Sequence, residues 1–189
     1  RIYQVIKNKK ILIIGGTGAL GTTLVKRNYN DNDIIVFSRD EHKHYHLQKD
    51  YPKIKSVIGN VRDRDSIFNS LIRFKPNIVI NASALKHVPI CEENVFESVK
   101  TNVIGHQNVI EAVSTFDDIE TLIFVSTDKA CKPINVYGMC KAISEQLYVN
   151  YSKQQNDIKV VLVRYGNVLE STGSVIPFFK SLLEKGCDS

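Results

Sequence analysis

Lys10-Ile11-Leu12-Ile13-Ile14-Gly15-Gly16-Thr17-Gly18-Ala19-Leu20-Gly21 is the stretch whose reading decides the fold. Four aliphatic residues run without a break into a glycine-rich turn. Such a continuous apolar run suits a strand buried on both faces, as strands of a parallel sheet are. Gly15 permits the tight turn, Gly18 lets backbone approach a pyrophosphate, and Gly21 lets a following helix pack on the strand. Thr17, Ala19 and Leu20 complete the loop, and the helix start offers N–H groups and a positive dipole to an anion. A tight turn with no ligand is the alternative reading, and the strand–turn–helix context speaks against it.

Working outward, the same pattern repeats. Short apolar runs predict strands at Lys10–Ile14, Ile34–Ser38, Lys55–Ile58, Ile78–Asn81, Thr121–Ser126 and Lys159–Arg164. Amphipathic stretches predict helices at Ala19–Tyr29, Glu41–Lys49, Asp63–Lys75, Phe96–Thr115 and Val136–Tyr151. Alternation of this kind, with right-handed crossovers, gives an α/β fold: a doubly wound parallel sheet in a three-layer sandwich. Residues 1–168 are expected to form this domain and residues 169–189 the start of a small, truncated C-terminal lobe.

The chain of 189 residues is 43% hydrophobic, enough for one core. Its net charge of +5 is spread among acids, with no basic block or aromatic stripe of the sort that tracks nucleic acid. No nucleic-acid partner is expected, and an anionic small ligand fits the charge. The four cysteines (Cys91, Cys131, Cys140, Cys187) lack zinc-like or Cys-x-x-Cys spacing, which suits a reduced, cytoplasmic setting. No apolar run approaches a membrane span, so no membrane association is expected.

The second strand ends Phe37-Ser38-Arg39-Asp40. Sites selective for NAD put a carboxylate at this tip to hold the ribose 2′-hydroxyl. Here a small hydroxyl and a guanidinium stand there, suited to a 2′-phosphate, with Lys43 one helical turn on. NADP is therefore the expected cofactor; a solvated Arg39 is the alternative. Asn60 and Val61 follow the third strand, where an adenine would lie, although Asn60 also suits an ordinary turn. Ala82, Ser83 and Ala84 follow the fourth strand, and their small side chains would let backbone sit close to the cofactor.

Tyr137 and Lys141 are four apart on one predicted helix and share a face. A phenol is a poor base at neutral pH, and a neighbouring ammonium would favour its ionised form. Just before them, Ser126-Thr127-Asp128-Lys129-Ala130 puts a hydroxyl, an acid and an amine at the end of the fifth strand. The edge of a parallel sheet where its strands end is where ligands bind.

With these motifs the chain resembles the extended short-chain dehydrogenase/reductases, Rossmann-fold enzymes. Within them it is similar to the inverting UDP-N-acetylglucosamine 4,6-dehydratases of polysaccharide biosynthesis. Further matching stretches are Ala84-Leu85-Lys86-His87-Val88-Pro89, Lys100-Thr101-Asn102-Val103, Arg164-Tyr165-Gly166-Asn167-Val168 and Gly173-Ser174-Val175-Ile176-Pro177-Phe178. Retaining dehydratases carry Asp-Glu where this chain has Asp128-Lys129, and the inverting ones carry Asp-Lys.

The resemblance implies that Tyr137 takes the O-4 proton, with Thr127 bonded to that oxygen and Lys141 holding Tyr137 and the nicotinamide ribose. Lys129, its pKa drawn down by burial and nearby cations, removes the C-5 proton, and protonated Asp128 donates to the departing C-6 hydroxyl. It also implies Lys86 near cofactor and substrate, and substrate contacts from His87, Asn167, Ser174, Val175 and Pro177. A UDP-sugar substrate and a homo-oligomer follow from it as well. Lys86, His87 and Asn167 are equally consistent with solvated or turn positions, and Asp128-Lys129 with a surface ion pair. Asn60, Asn81, Ser83 and Cys140 depart from the family pattern.

Two other readings stand beside this one. A nucleotide-sugar 4-epimerase or 4-reductase needs Tyr137 and Lys141 but no acid–base pair at C-5 and C-6. A catalytically silent NADP-sensing regulator needs none of the four. The run His42-Lys43-His44-Tyr45-His46 is read as a solvated helix face, with no metal site.

Overall fold

The computed structural model describes residues 6–154 and 157–166. Six parallel strands form one sheet: β1 (Lys10–Ile14), β2 (Asp33–Ser38), β3 (Lys55–Ile58), β4 (Ile78–Asn81), β5 (Thr121–Thr127) and β6 (Lys159–Tyr165). Their order is β3-β2-β1-β4-β5-β6. The chain leaves β1 on one side and returns at β4 on the other, so the two crossovers diverge above β1 and β4. That divergence opens a crevice at the strands' carboxyl ends.

Side chains alternate across a strand, so each buried run feeds two cores. Leu12, Ile14, Ile35, Phe37 and Val79 enter one, under helices α3 (Arg64–Phe74), α6 (Gly105–Val113) and α7 (Val136–Gln154). Ile11, Ile13, Ile34, Val36, Ile78 and Ile80 enter the other, under α1 (Ala19–Asn28) and α2 (Glu41–Asp50). This is the expected three-layer sandwich.

The expected helix over Phe96–Thr115 is not one regular helix. A short α4 (Val88–Glu93), unforeseen and with Pro89 in its first turn, precedes α5 (Val95–Val99). A π-helical turn, Lys100–Ile104, then leads into α6. The wider turn carries the Gly105 N–H back to the Lys100 carbonyl, and the Asn102 carbonyl instead accepts the Ser144 hydroxyl of α7. A single π turn in a helix often marks a functional site. No described helix is long and apolar enough to cross a membrane. The expected C-terminal lobe lies outside the described residues.

Candidate active site

Gly15 has φ +81°, and a Cβ there would lie 2.9 Å from the Ala82 carbonyl and the Ser83 nitrogen. Glycine is thus required by conformation and by the close approach of the loop after β4. Gly18 is exposed at the start of α1, and a Cβ on it would meet only the Gly15 oxygen, at 3.3 Å. At Gly21 an added Cβ would fall 2.5 Å from Gly16, so at this position the first turn of α1 packs on the glycine turn that ends β1. Ala19 is exposed, whereas the Leu20 side chain packs against the core, which leaves only its backbone to face an anion.

At the tip of β2 the Thr17 and Ser38 hydroxyls are 2.8 Å apart. Arg39 is exposed. Asp40 is occupied locally: its carboxylate caps α2 by accepting the Lys43 N–H at 3.0 Å, and it pairs with the Lys43 ammonium at 3.4 Å. That backbone bond holds the Asp40 carboxyl below its ordinary range. The histidine run is corrected. His42 and His46 are exposed, but His44 is buried and its Nε2 lies 2.9 Å from the Ser38 hydroxyl. Among the described residues no group of three His, Cys, Asp or Glu could hold a metal ion.

Beside β3, the Asn60 side-chain oxygen accepts the Arg62 N–H at 3.1 Å, as in an ordinary turn, and Val61 belongs to the core. Behind the Ala82–Ser83–Ala84 loop stands a buried network that the sequence did not announce. Asn81 donates to His106 Nδ1 (3.1 Å) and to the Tyr148 hydroxyl (3.0 Å), while its oxygen accepts the Ser83 hydroxyl (2.7 Å). His106 Nε2 lies 3.2 Å from the Ser83 carbonyl. A carbonyl can only accept, so Nε2 carries the proton, and burial pushes His106 well below its usual pKa. Asn102 of the π turn clamps the next residue, bonding both the N–H and the carbonyl of Leu85 at 2.8 Å. Lys86 and His87, just beyond, are exposed.

β5 delivers the reactive groups. The Thr127 hydroxyl donates to Asp128 at 2.9 Å, accepts the Lys129 N–H at 3.3 Å and lies beside the Tyr137 phenol. The Lys129 ammonium is 3.4 Å from Asp128. Asn135 caps α7 by accepting the Gly138 N–H, which sets Tyr137 in the first turn beside this cluster. Gly138 is required there, since a Cβ would strike the Lys129 carbonyl.

Three electrostatic expectations are corrected. Burial first, then nearby Tyr165, pushes the Tyr137 phenol up to about 12, with Thr127 opposing. Lys141 does not lower it, because its ammonium is buried, donates to the Val125 carbonyl at 2.8 Å and lies over the Phe124 ring. Burial lowers Lys141 itself to about 7, against the pull of Glu145. The Asp128 carboxyl is held below its ordinary range, first by the Thr127 hydroxyl and also by Lys129, so here it is ionised and not a proton donor. The Lys129 ammonium, expected beside cations, stands 3.4 Å from that carboxylate, an anion. Glu145, absent from the sequence expectations, accepts Ser126 (2.5 Å) and Arg164 (2.8 and 2.5 Å) and ties α7 to β5 and β6. Asn167, Ser174, Val175 and Pro177 lie outside the described residues.

A sheet in this order, with a glycine turn after β1 and Tyr-x-x-x-Lys on the helix after β5, defines a Rossmann domain of the extended short-chain dehydrogenase/reductase class. A family profile described as "Polysaccharide biosynthesis protein" matches residues 11–188, and the chain belongs to that family. It is 43% identical over 185 residues to the inverting UDP-N-acetylglucosamine 4,6-dehydratase of Campylobacter jejuni subsp. jejuni serotype O:2, covering 94% of this chain and 54% of the relative. It is 39% identical over 192 residues to the UDP-glucose 4-epimerase of Rickettsia bellii, covering 96% and 55%. The X-ray structure of Pen from Bacillus thuringiensis superposes with a TM-score of 0.90 at 36% identity, over 96% of this chain and 57% of that one. The chain spans about half the length of the curated relatives it matches.

Proposed function

We propose that the protein acts in a nicotinamide-dependent 4,6-dehydration of UDP-N-acetylglucosamine, with inversion at C-5. One observation carries this reading: Asp128 and Lys129 stand at the end of β5 in one bonded cluster with Thr127, beside the Tyr137 phenol. An epimerase or a silent sensor has no use for the pair. The relative named as an inverting dehydratase supports the same choice.

Residues on the sheet edge fit the cofactor. The open Gly18 and the α1 N-terminus suit its pyrophosphate, the small Ala82–Ser83–Ala84 loop approaches Gly15, and Ser38 with Arg39 favours NADP over NAD. When bound, the nicotinamide supplies a hydride acceptor for C-4 and returns that hydride to C-6. Tyr137, once its own proton has passed by way of Thr127 to Asp128, takes the O-4 proton as the phenolate, and the C-4 ketone that results acidifies C-5. Lys129 is assigned the C-5 proton, which it takes as the neutral amine after losing its own proton to solvent. Asp128 serves as the acid at C-6 once it holds a proton, and Thr127 joins it to the phenol from which one can come. Closing a substrate over the carboxylate disfavours its charge and assists that transfer. Lys141 would hold the nicotinamide ribose. Lys86, His87, Asn167, Ser174, Val175 and Pro177 are assigned to the substrate.

Two copies are proposed to associate through α4, α5 and α7, which pack on one another and expose Ile90, Phe96, Met139 and Ile143. The reaction is tested by incubating the protein, expressed from its natural gene, with UDP-N-acetylglucosamine in deuterium oxide. A 4-keto-6-deoxy product labelled at C-5 is expected. A 4-epimer with unlabelled C-5 would instead establish the epimerase.

A further inference from the structure

His44 is a buried group that the proposed chemistry leaves unused, and it sits behind the tip of β2. Its Nε2 is 2.9 Å from the Ser38 hydroxyl and 3.2 Å from the Ser38 carbonyl, while its Nδ1 is buried without a hydrogen-bond partner. The tautomer follows. The carbonyl accepts only, so the proton lies on Nε2; a proton on Nδ1 would leave a buried N–H unsatisfied. Burial also lowers the His44 pKa, which keeps the ring neutral with one proton.

That proton fixes the roles of the hydroxyls in front of it. With Nε2–H directed at Ser38, the serine oxygen is an acceptor. Thr17 and Ser38, 2.8 Å apart, share one hydrogen bond between two hydroxyls. One hydroxyl hydrogen of the pair is therefore left to point out of the network. The strand tip presents a donor, with the Arg39 guanidinium next in sequence and the Asp40 carboxylate withdrawn to cap α2. A donor and a cation match a phosphate ester, which only accepts and is anionic; a ribose hydroxyl gains most from the carboxylate that is occupied here.

We propose that His44 is a positioning residue for dinucleotide selectivity: its Nε2–H sets the Thr17–Ser38 pair as a donor and so favours a 2′-phosphorylated dinucleotide over one with a free 2′-hydroxyl. This inference rests on the nicotinamide reading above. Among the hydrogen bonds of the described residues the Ser38 hydroxyl meets Thr17 and His44 alone, while its carbonyl also accepts the Gly59 N–H at 3.0 Å.

The test is calorimetric titration of the protein with NADP+ and with NAD+, for the natural sequence, His44→Phe and His44→Gln. With no Nε2–H on the Ser38 hydroxyl and carbonyl, the spare hydroxyl hydrogen is free to turn back to that carbonyl. Losing its bond to a charged group should cut the NADP+/NAD+ affinity ratio about tenfold in His44→Phe, through weaker NADP+ binding. His44→Gln, which keeps an N–H, should restore most of the ratio. Should His44→Phe fail to fold, the smaller His44→Leu reads the same ratio. The imidazole nitrogen shifts of the unmodified protein provide a further check: a proton on Nδ1 overturns the proposal. Equal losses for both dinucleotides, or a ratio unchanged by substitution, also overturn it. Binding of neither dinucleotide by the unmodified protein would defeat the nicotinamide reading itself.

Discussion

Tyr137 and Lys141 are visible in the sequence as a spaced pair, yet the partners that set their charge states are not. Burial pushes the phenol further from ionisation, to about 12, and draws the amine down to about 7, where it is half protonated at neutral pH. Tyr137→Phe should lower turnover about 10²- to 10⁴-fold while leaving dinucleotide affinity nearly unchanged, as steady-state assay and titration would show. Asp128→Asn should let the C-4 oxidation proceed but stall the loss of water, so that reduced nicotinamide accumulates in its absorbance band. Lys141 also makes stability depend on pH. Its folded pKa, about 7, lies below the ordinary lysine value of 10.5, so between these values the unfolded chain binds the extra proton. Stability from this group therefore rises with pH across that window, and urea midpoints of Lys141→Met should lose the slope. His44 and His106, lowered from 6.5, act in the same direction, with stability falling as the pH drops below that value.

At the scale of elements, continuous apolar runs located the strands within a residue, since burial on both faces leaves little freedom in where such runs can begin and end. The helix after β4 was less legible. Periodicity showed an amphipathic stretch but could not show that the turn at Lys100–Ile104 widens, because its cause is the Asn102 side chain holding Leu85 and Ser144 taking the Asn102 carbonyl. The contact between the turn after β5 and α7 was equally hidden: Gly138 looked like a spacer within Tyr-x-x-x-Lys but admits the Lys129 carbonyl. Gly138→Ala should cost about 1–3 kcal/mol by overpacking. It should reduce turnover further than its Tm loss explains, because the added methyl moves Asp128 and Lys129 relative to Tyr137; thermal melts and kinetics on one preparation would separate the two effects.

For the whole molecule, sheet order places the glycine turn, the tip of β2, the loop after β4 and the end of β5 along one edge, although up to 111 positions separate Thr17 from Asp128 in a chain of 189. The apolar residues exposed on α4, α5 and α7 lie away from the strands' cores, and Phe96 is 69% exposed. Combined Phe96→Glu and Ile143→Glu should turn the proposed dimer into a monomer in sedimentation while leaving the fold's melting temperature within a few degrees. Local chemistry was enough to determine the strands, the glycine turn and the kinds of reactive side chain, because a hydrophobic run, a φ that only glycine adopts easily and a phenol spaced from an amine are properties of neighbours in sequence. Tertiary structure alone decided which groups are buried and what they bond: Asn81 with His106 and Tyr148, Glu145 with Arg164, His44 with Ser38, and Lys141 with Val125. Desolvation and hydrogen-bond pairing depend on what the rest of the chain brings within a few ångströms, and no stretch of sequence carries that information by itself.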